Sequence, residues 1–136
     1  MTRWIVIALL TVTTGADRAW ARPGPPPAQR AFYEQVFKDF IDKKAAAISA
    51  TFDTFVTLDL AGKRKRYRKA QAANVLRTHL RGITPIRKSS KIVKRTTGYM
   101  VFRVHFYDAS GRLRQANVHV SVKASGGSYL ITQISR

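Results

Sequence analysis

Lys63-Arg64-Lys65-Arg66-Tyr67-Arg68-Lys69 places six cations and one aromatic ring in seven consecutive residues. The chemistry open to such a run is electrostatic. Ammonium and guanidinium groups attract phosphate and carboxylate, and a cluster of them gives affinity without a shaped pocket. Near an anionic membrane each cation contributes about 1 kcal/mol. The less specific reading is a solvated hairpin tip, because charge runs are common at turns. Arg87, Lys88, Lys91, Lys94 and Arg95 extend the theme. On a regular strand Lys91 and Arg95 share one face and Lys94 takes the other. On an edge strand such lysines also discourage edge-to-edge association.

Acid–base chemistry has fewer candidates. A catalytic carboxylate or imidazole must converge with its partners in a dry cavity to be tuned. Asp59 shares a face with Phe55 and Thr57 and is expected to point inward. His79 falls on the apolar stripe of a helix, where it serves either as a pocket base or as a neutral, hydrogen-bonded core residue. Tyr67 and Tyr99 are the candidate hydrogen-bond donors beside them, and Phe102 is a candidate pocket wall. His105 and His119 lie on the polar face of adjacent strands but not directly opposite one another. A zinc site needs three or four ligands in defined geometry, so no metal and no cofactor is expected. The chain contains no nucleophile elbow, no phosphate-binding glycine loop and no metal-ligand spacing.

The positioning elements sit in a short chain. A length of 136 residues suits one domain, and 45% apolar residues suffice for a real core. The absence of cysteine excludes disulfides, thiolate metal sites and cysteine nucleophiles. Residues 1–21 read as a secretory signal peptide, with Arg3 before an apolar run from Trp4 to Val12 and the small-x-small site Ala19-Trp20-Ala21. The run is too short for a membrane span, which needs about 20 apolar residues. The expected setting is therefore periplasmic or extracellular in a bacterium, with no transmembrane segment after cleavage. Residues 22–30 read as a proline-rich linker, and residues 31–136 as a single domain. The net charge is +18, and from Gly62 onward 18 basic residues face one acid, Asp108. One part of the surface must be strongly positive.

Along the domain, Phe32, Val36 and Phe40 with Tyr33, Phe37 and Ile41 make a helical stripe over 31–44. Residues 45–52 read as a short second helix, which Asp42 is placed to cap. Residues 55–60 alternate as a strand, residues 61–64 as a turn and 65–67 as its return arm. Residues 68–81 are helical, with Gly82 at the C-terminal cap. The period then changes to two. Strands are expected at 91–97, 99–107 and 129–134, with another after the loop Asp108-Ala109-Ser110-Gly111-Arg112. That loop fits a type I turn with a glycine bulge. Pairing Asp108 with Arg112 sets Phe102 opposite Val118 and Met100 opposite Val120, so the apolar faces agree. Helices first and a meander last imply an α+β fold, with N-terminal helices packed on a curved antiparallel sheet.

This order resembles the nuclear transport factor 2-like (cystatin-like) cone. More narrowly, residues 41–134 resemble the bacterial exported family called domain of unknown function 4783. The residues that carry the resemblance are Phe52 through Leu60, Tyr67-Arg68-Lys69-Ala70-Gln71-Ala72 with Val75-Leu76, Leu113-Arg114, Lys123, and Tyr129 through Ile134. Thr78 and His79 stand where the family pattern leads one to expect aromatics. The resemblance implies a fold and an exported setting, and it carries no catalytic residues across. The wider superfold hosts isomerases, hydrolases and binding modules alike, so fold alone does not choose among them.

The expected function is a non-catalytic basic binding or accessory domain. It would capture an anionic polymer, a lipid or an acidic protein through Lys63, Arg64, Lys65, Arg66, Arg68 and Lys69, with nucleic acid a non-specific option. One alternative is a pocket enzyme, isomerase-like or hydrolase-like, using Asp59 or His79. Another is a structural homodimer formed through the outer sheet face of Tyr99, Val101, Arg103, His105, Tyr107, Asn117, His119 and Ser121.

Overall fold

Proline lacks a backbone N–H, and the first helical position has no use for one. In the computed structural model of the protein, which describes residues 24–60 and 62–136, the first helix α1 accordingly starts at Pro27 and runs Pro27–Ile41. It begins four residues before the expected Ala31 and shortens the expected linker. The signal-peptide residues 1–21, linker residues 22 and 23, and Ala61 in the expected turn lie outside the described residues. Helix α1 buries Tyr33, Val36, Phe40 and Ile41. Its first turn is tied to the sheet by polar contacts. Buried Gln29 donates to Tyr33 Oη at 2.9 Å and to Thr97 O at 2.8 Å, and Tyr33 Oη donates to Thr96 O at 2.6 Å.

Helix α2 (Ala45–Ser49) is shorter than expected, and Phe52 opens strand β1 (Phe52–Leu60) instead of ending the helix. The reason is tertiary. Thr51 O already accepts from Ile131 N at 2.8 Å, which draws the chain into the sheet. Asp42 does not cap α2: Lys44 holds that N-cap without a side-chain bond, and Asp42 is the C-terminal cap residue of α1 and pairs with Arg87. Strand β2 (Lys63–Arg68) and helix α3 (Lys69–Arg81) follow. Strands β3 (Thr84–Arg95), β4 (Tyr99–Tyr107), β5 (Leu113–Ser125) and β6 (Ser128–Ser135) complete the chain.

The α+β class is as expected. The six strands form one sheet in the order β2-β1-β6-β5-β4-β3. Its neighbours are antiparallel except at one junction, where β6 returns beside β1 in the same direction. The sheet is therefore mixed rather than wholly antiparallel. The β4–β5 register matches the one that the loop dictates: Phe102 faces Val118, Met100 faces Val120, Arg103 faces Asn117 and Val101 faces His119. In that loop Gly111 has φ 83°, which an L side chain resists. The Asp108 carboxylate collects hydrogen bonds from Ser110, Arg112 and Arg114, which hold its pKa well below the usual range.

Strand β3 is longer than the expected 91–97. It accommodates Pro85 because it is an edge, where a missing donor costs little. Bulges fall between Ile86 and Lys91 and between Ile92 and Lys94. The second one corrects the expected alternation. Lys91 and Lys94 lie opposite Arg103 and Val101 on the outer face, while Arg95, opposite Met100, turns to the helix side and bonds Glu34 at 2.6 Å.

Phe102 is fully buried, its ring 5.3 Å from Phe37 and 5.0 Å from Phe40. Met100, Val104, Phe106, Val118, Val120, Ile131 and Ile134 share its sheet face, and Leu76 and Leu80 of α3 join the same core. Each such buried side chain contributes roughly 1.5–3 kcal/mol relative to exposure.

Candidate functional site

The β1–β2 register divides the cationic run between two faces. Phe55, Thr57 and Asp59 lie opposite Arg68, Arg66 and Arg64. Val56, Leu58 and Leu60 lie opposite Tyr67, Lys65 and Lys63. The second set faces the helices, so the β1 members are buried and Tyr67 packs at the margin of the core. Lys63 and Lys65 project past that margin into solvent.

The first set is an arginine stripe on the outer face. Phe55, only 38% exposed for a surface aromatic, lies under two guanidiniums, Arg66 at 4.2 Å and Arg68 at 5.7 Å from its ring centre. Such cation–π contacts contribute about 0.5–1 kcal/mol at exposed sites. They also hold the long side chains flat against the sheet. Lys65 Nζ lies 5.5 Å from the Tyr67 ring on the other face, and Lys69 Nζ donates to Ala50 O at 3.4 Å.

Among the described residues one cation of this edge forms an ion pair, Arg64 with Asp59 at 3.8 Å, while the charge of Arg66 also helps to lower the pKa of Asp53, which is paired to Lys123. The other ion pairs among the described residues lie elsewhere: Arg87–Asp42, Arg95–Glu34, Arg114–Asp108 and Lys123–Asp53. Lys63, Lys65, Arg66, Arg68 and Lys69 therefore have no acidic partner among the described residues. The β3 cations form a separate group, because β3 is the opposite edge of the sheet. Arg87 and Arg95 there serve to clip that edge to α1.

Asp59 is corrected by this geometry. Its carboxylate faces outward beside Arg64, because Val56, Leu58 and Leu60 take the buried positions. Tyr99 also faces outward, stacked on His119 with ring centres 4.5 Å apart. Phe102 fills the core rather than lining a pocket. Of Tyr67, His79, Asp59 and Phe102, His79 is the one that lines the cavity formed against α3. His105 is engaged separately, donating from Nδ1 to Ser89 O at 2.9 Å with the Gln115 amide 3.0 Å from Nε2. Among the described residues, no three His, Asp or Glu side chains converge into a metal-sized cluster.

The cavity has a volume of about 400 Å³ and is open to solvent, with walls from Leu60, Asn74, Val75, Thr78 and His79. Four of these come from one face of α3, at i, i+1, i+4 and i+5. Arg136 Nη1 lies 3.0 Å from His79 Nε2. A guanidinium only donates, so His79 Nε2 accepts and the ring is neutral with its proton on Nδ1. Burial, then the Arg136 charge, lowers the pKa of His79. Arg136 is anchored by its own N–H on Asp59 O at 2.9 Å and lies 4.9 Å from the Phe106 ring. Asn74 and Arg136 were not singled out by sequence. For Arg136 the usable signal is parity, since it stands two residues after the buried Ile134.

Comparison with known proteins agrees with this architecture. The family model described as domain of unknown function (DUF4783) matches residues 33–135. A DUF4783 family protein from Bacteroides uniformis superposes with a TM-score of 0.60 at 14% identity, covering 75% of this chain and 92% of its own. One from Bacteroides ovatus gives 0.57 at 15%, covering 81% and 91%. A protein of unknown function with a cystatin-like fold from Nostoc punctiforme gives 0.55 at 11%, covering 83% and 92%. At these identities the likeness concerns the fold alone. No curated protein matches the chain.

Proposed function

The chain belongs to the family of domain of unknown function 4783, and from that membership, which carries a fold and no activity, we propose that the protein is a non-catalytic binding module that captures an anionic partner through its β2 edge. The observation that carries this reading is the edge strand itself. Within its six residues it presents five cations on two faces, Lys69 adds a sixth at the start of α3, and among the described residues only Arg64 meets an acid. The arginine stripe over Phe55 is suited to phosphate or carboxylate groups arrayed on a surface, because guanidinium donors fork to both oxygens. The lysines on the other face add charge without geometric demand. A partner with repeated phosphates or carboxylates is favoured over a single small anion. With the expected signal peptide, the setting we propose is outside the cytoplasm.

The test compares wild type with a variant carrying Lys63→Ser, Arg64→Ser, Lys65→Ser and Arg66→Ser. Binding to phosphatidylglycerol vesicles and to polyphosphate is measured at about 50 and about 200 mM salt, a range over which several phosphate contacts give a steep loss. Wild type should bind with a steep salt slope. Each phosphate contact contributes about 0.7–0.9 to that slope, so the four-residue variant should lose up to about 3.6. Equal binding by both proteins, or binding by neither, would overturn the proposal.

A further inference from the structure

The cavity on α3 lies apart from the β2 cations and is a different kind of place. Leu60 and Val75 supply apolar wall, and the methyl of Thr78 extends it. A volume of about 400 Å³ falls in the range of small-molecule sites, roughly 300–1,000 Å³. Two of its polar side chains already have partners on α3 itself. Asn74 Oδ1 accepts from Arg77, and Thr78 Oγ1 donates to Asn74 O at 3.0 Å. The third, His79, is different. Arg136 occupies Nε2, which leaves the Nδ1–H of this cavity-lining residue as its donor.

Arg136 has no acidic side-chain partner among the described residues, and Arg77 and Arg81 lie on the same helix. Among the described residues, no carboxylate lines the cavity. A cationic ligand would meet uncompensated repulsion there, and a purely apolar one would leave the His79–Arg136 end desolvated without a partner.

We infer that this cavity binds a small amphipathic carboxylate, with its hydrocarbon part between Leu60 and Val75 and its carboxylate at the His79–Arg136 end. The guanidinium of Arg136 supplies the charge, and the neutral imidazole of His79 supplies an oriented donor. Arg136 is held by its own backbone on Asp59 O and by its ring contact with Phe106, so the site is preorganised rather than assembled by the ligand.

The probe is octanoate, with 1-octanol as the uncharged control, titrated against the whole protein by NMR chemical-shift mapping. Octanoate should saturate, with shifts concentrated at Leu60, Asn74, Val75, Thr78 and His79. It should bind at least about tenfold more tightly than 1-octanol. Arg136→Gln should weaken octanoate by about 10- to 100-fold, the loss typical of one charged hydrogen bond, and leave 1-octanol unchanged. That unchanged control also reports that the variant is folded. Val75→Trp should exclude both ligands. The Lys63, Arg64, Lys65 and Arg66 to Ser variant should bind octanoate like wild type, which separates this site from the basic edge. Octanoate shifts spread along β2, equal affinity for the alcohol, or indifference to Arg136→Gln would each overturn the inference.

Discussion

His79 shows what a single side chain reports about this fold. Burial, then the Arg136 charge, lowers its pKa below the ordinary 6.5. The unfolded chain therefore takes up a proton in a range where the folded chain does not. Stability is fully present above pH 6.5 and declines as the pH falls from there towards the folded-state pKa. Thermal unfolding followed from about pH 7.5 to pH 5 should show a falling Tm in wild type, and His79→Gln should flatten that segment. A wild-type Tm that is level across the window, or a variant with the same slope, would contradict the assignment. Asp53 and Asp108 are also lowered, from 3.8, and they act only at more acid pH. The place of His79 on α3 was legible from helical periodicity. Its partner was not, because 57 residues separate it from Arg136 and no local pattern links them. Asp59 was misplaced for a related reason. Alternation says which residues share a face but not which face is buried, and the bulky Phe55 pointed the wrong way.

At the level of elements, legibility tracked how local the determinants are. The β4–β5 register followed from a five-residue loop whose chemistry admits few geometries. Strand β3 resisted reading because its two bulges are recognised only through what fills them. Ser90 fills the first. Its hydroxyl donates to Ile86 O at 2.7 Å and accepts from His105 N at 3.0 Å, replacing ladder bonds that the bulge interrupts. Ser90→Ala should leave that N–H without a partner and cost about 1–3 kcal/mol in chemical denaturation. A loss under about 0.5 kcal/mol would mean that water serves equally well. Helix α2 fell short of expectation for the same non-local reason, since its end is decided by the bond from Ile131 to Thr51.

For the molecule as a whole, charge was the feature most openly written in the sequence. What the structure adds is its distribution: two basic edges separated by four strands, with the described ion pairs placed mainly away from β2. A net charge of +18 on a chain of 136 residues opposes its own compaction. The exposed ion pairs offset this weakly, at about 0–1 kcal/mol each. Raising salt from about 0.01 to about 0.1 M shortens the screening length from about 30 to about 10 Å. The Tm should therefore rise with salt. A fall would mean that the ion pairs outweigh the repulsion.

The parallel contact between β1 and β6 has a consequence in time. The β1–β2 hairpin and the β3–β6 meander each bring together residues close in sequence, and such pairs close quickly. The joint between them unites Leu58 with Ile134, and loop-closure entropy makes such a distant pair slow to meet. Two locally formed halves followed by one late docking is the folding order this topology predicts. Synthesised from its N-terminus, the chain leaves that edge of β1 unpaired until its last strand has emerged to close the seam.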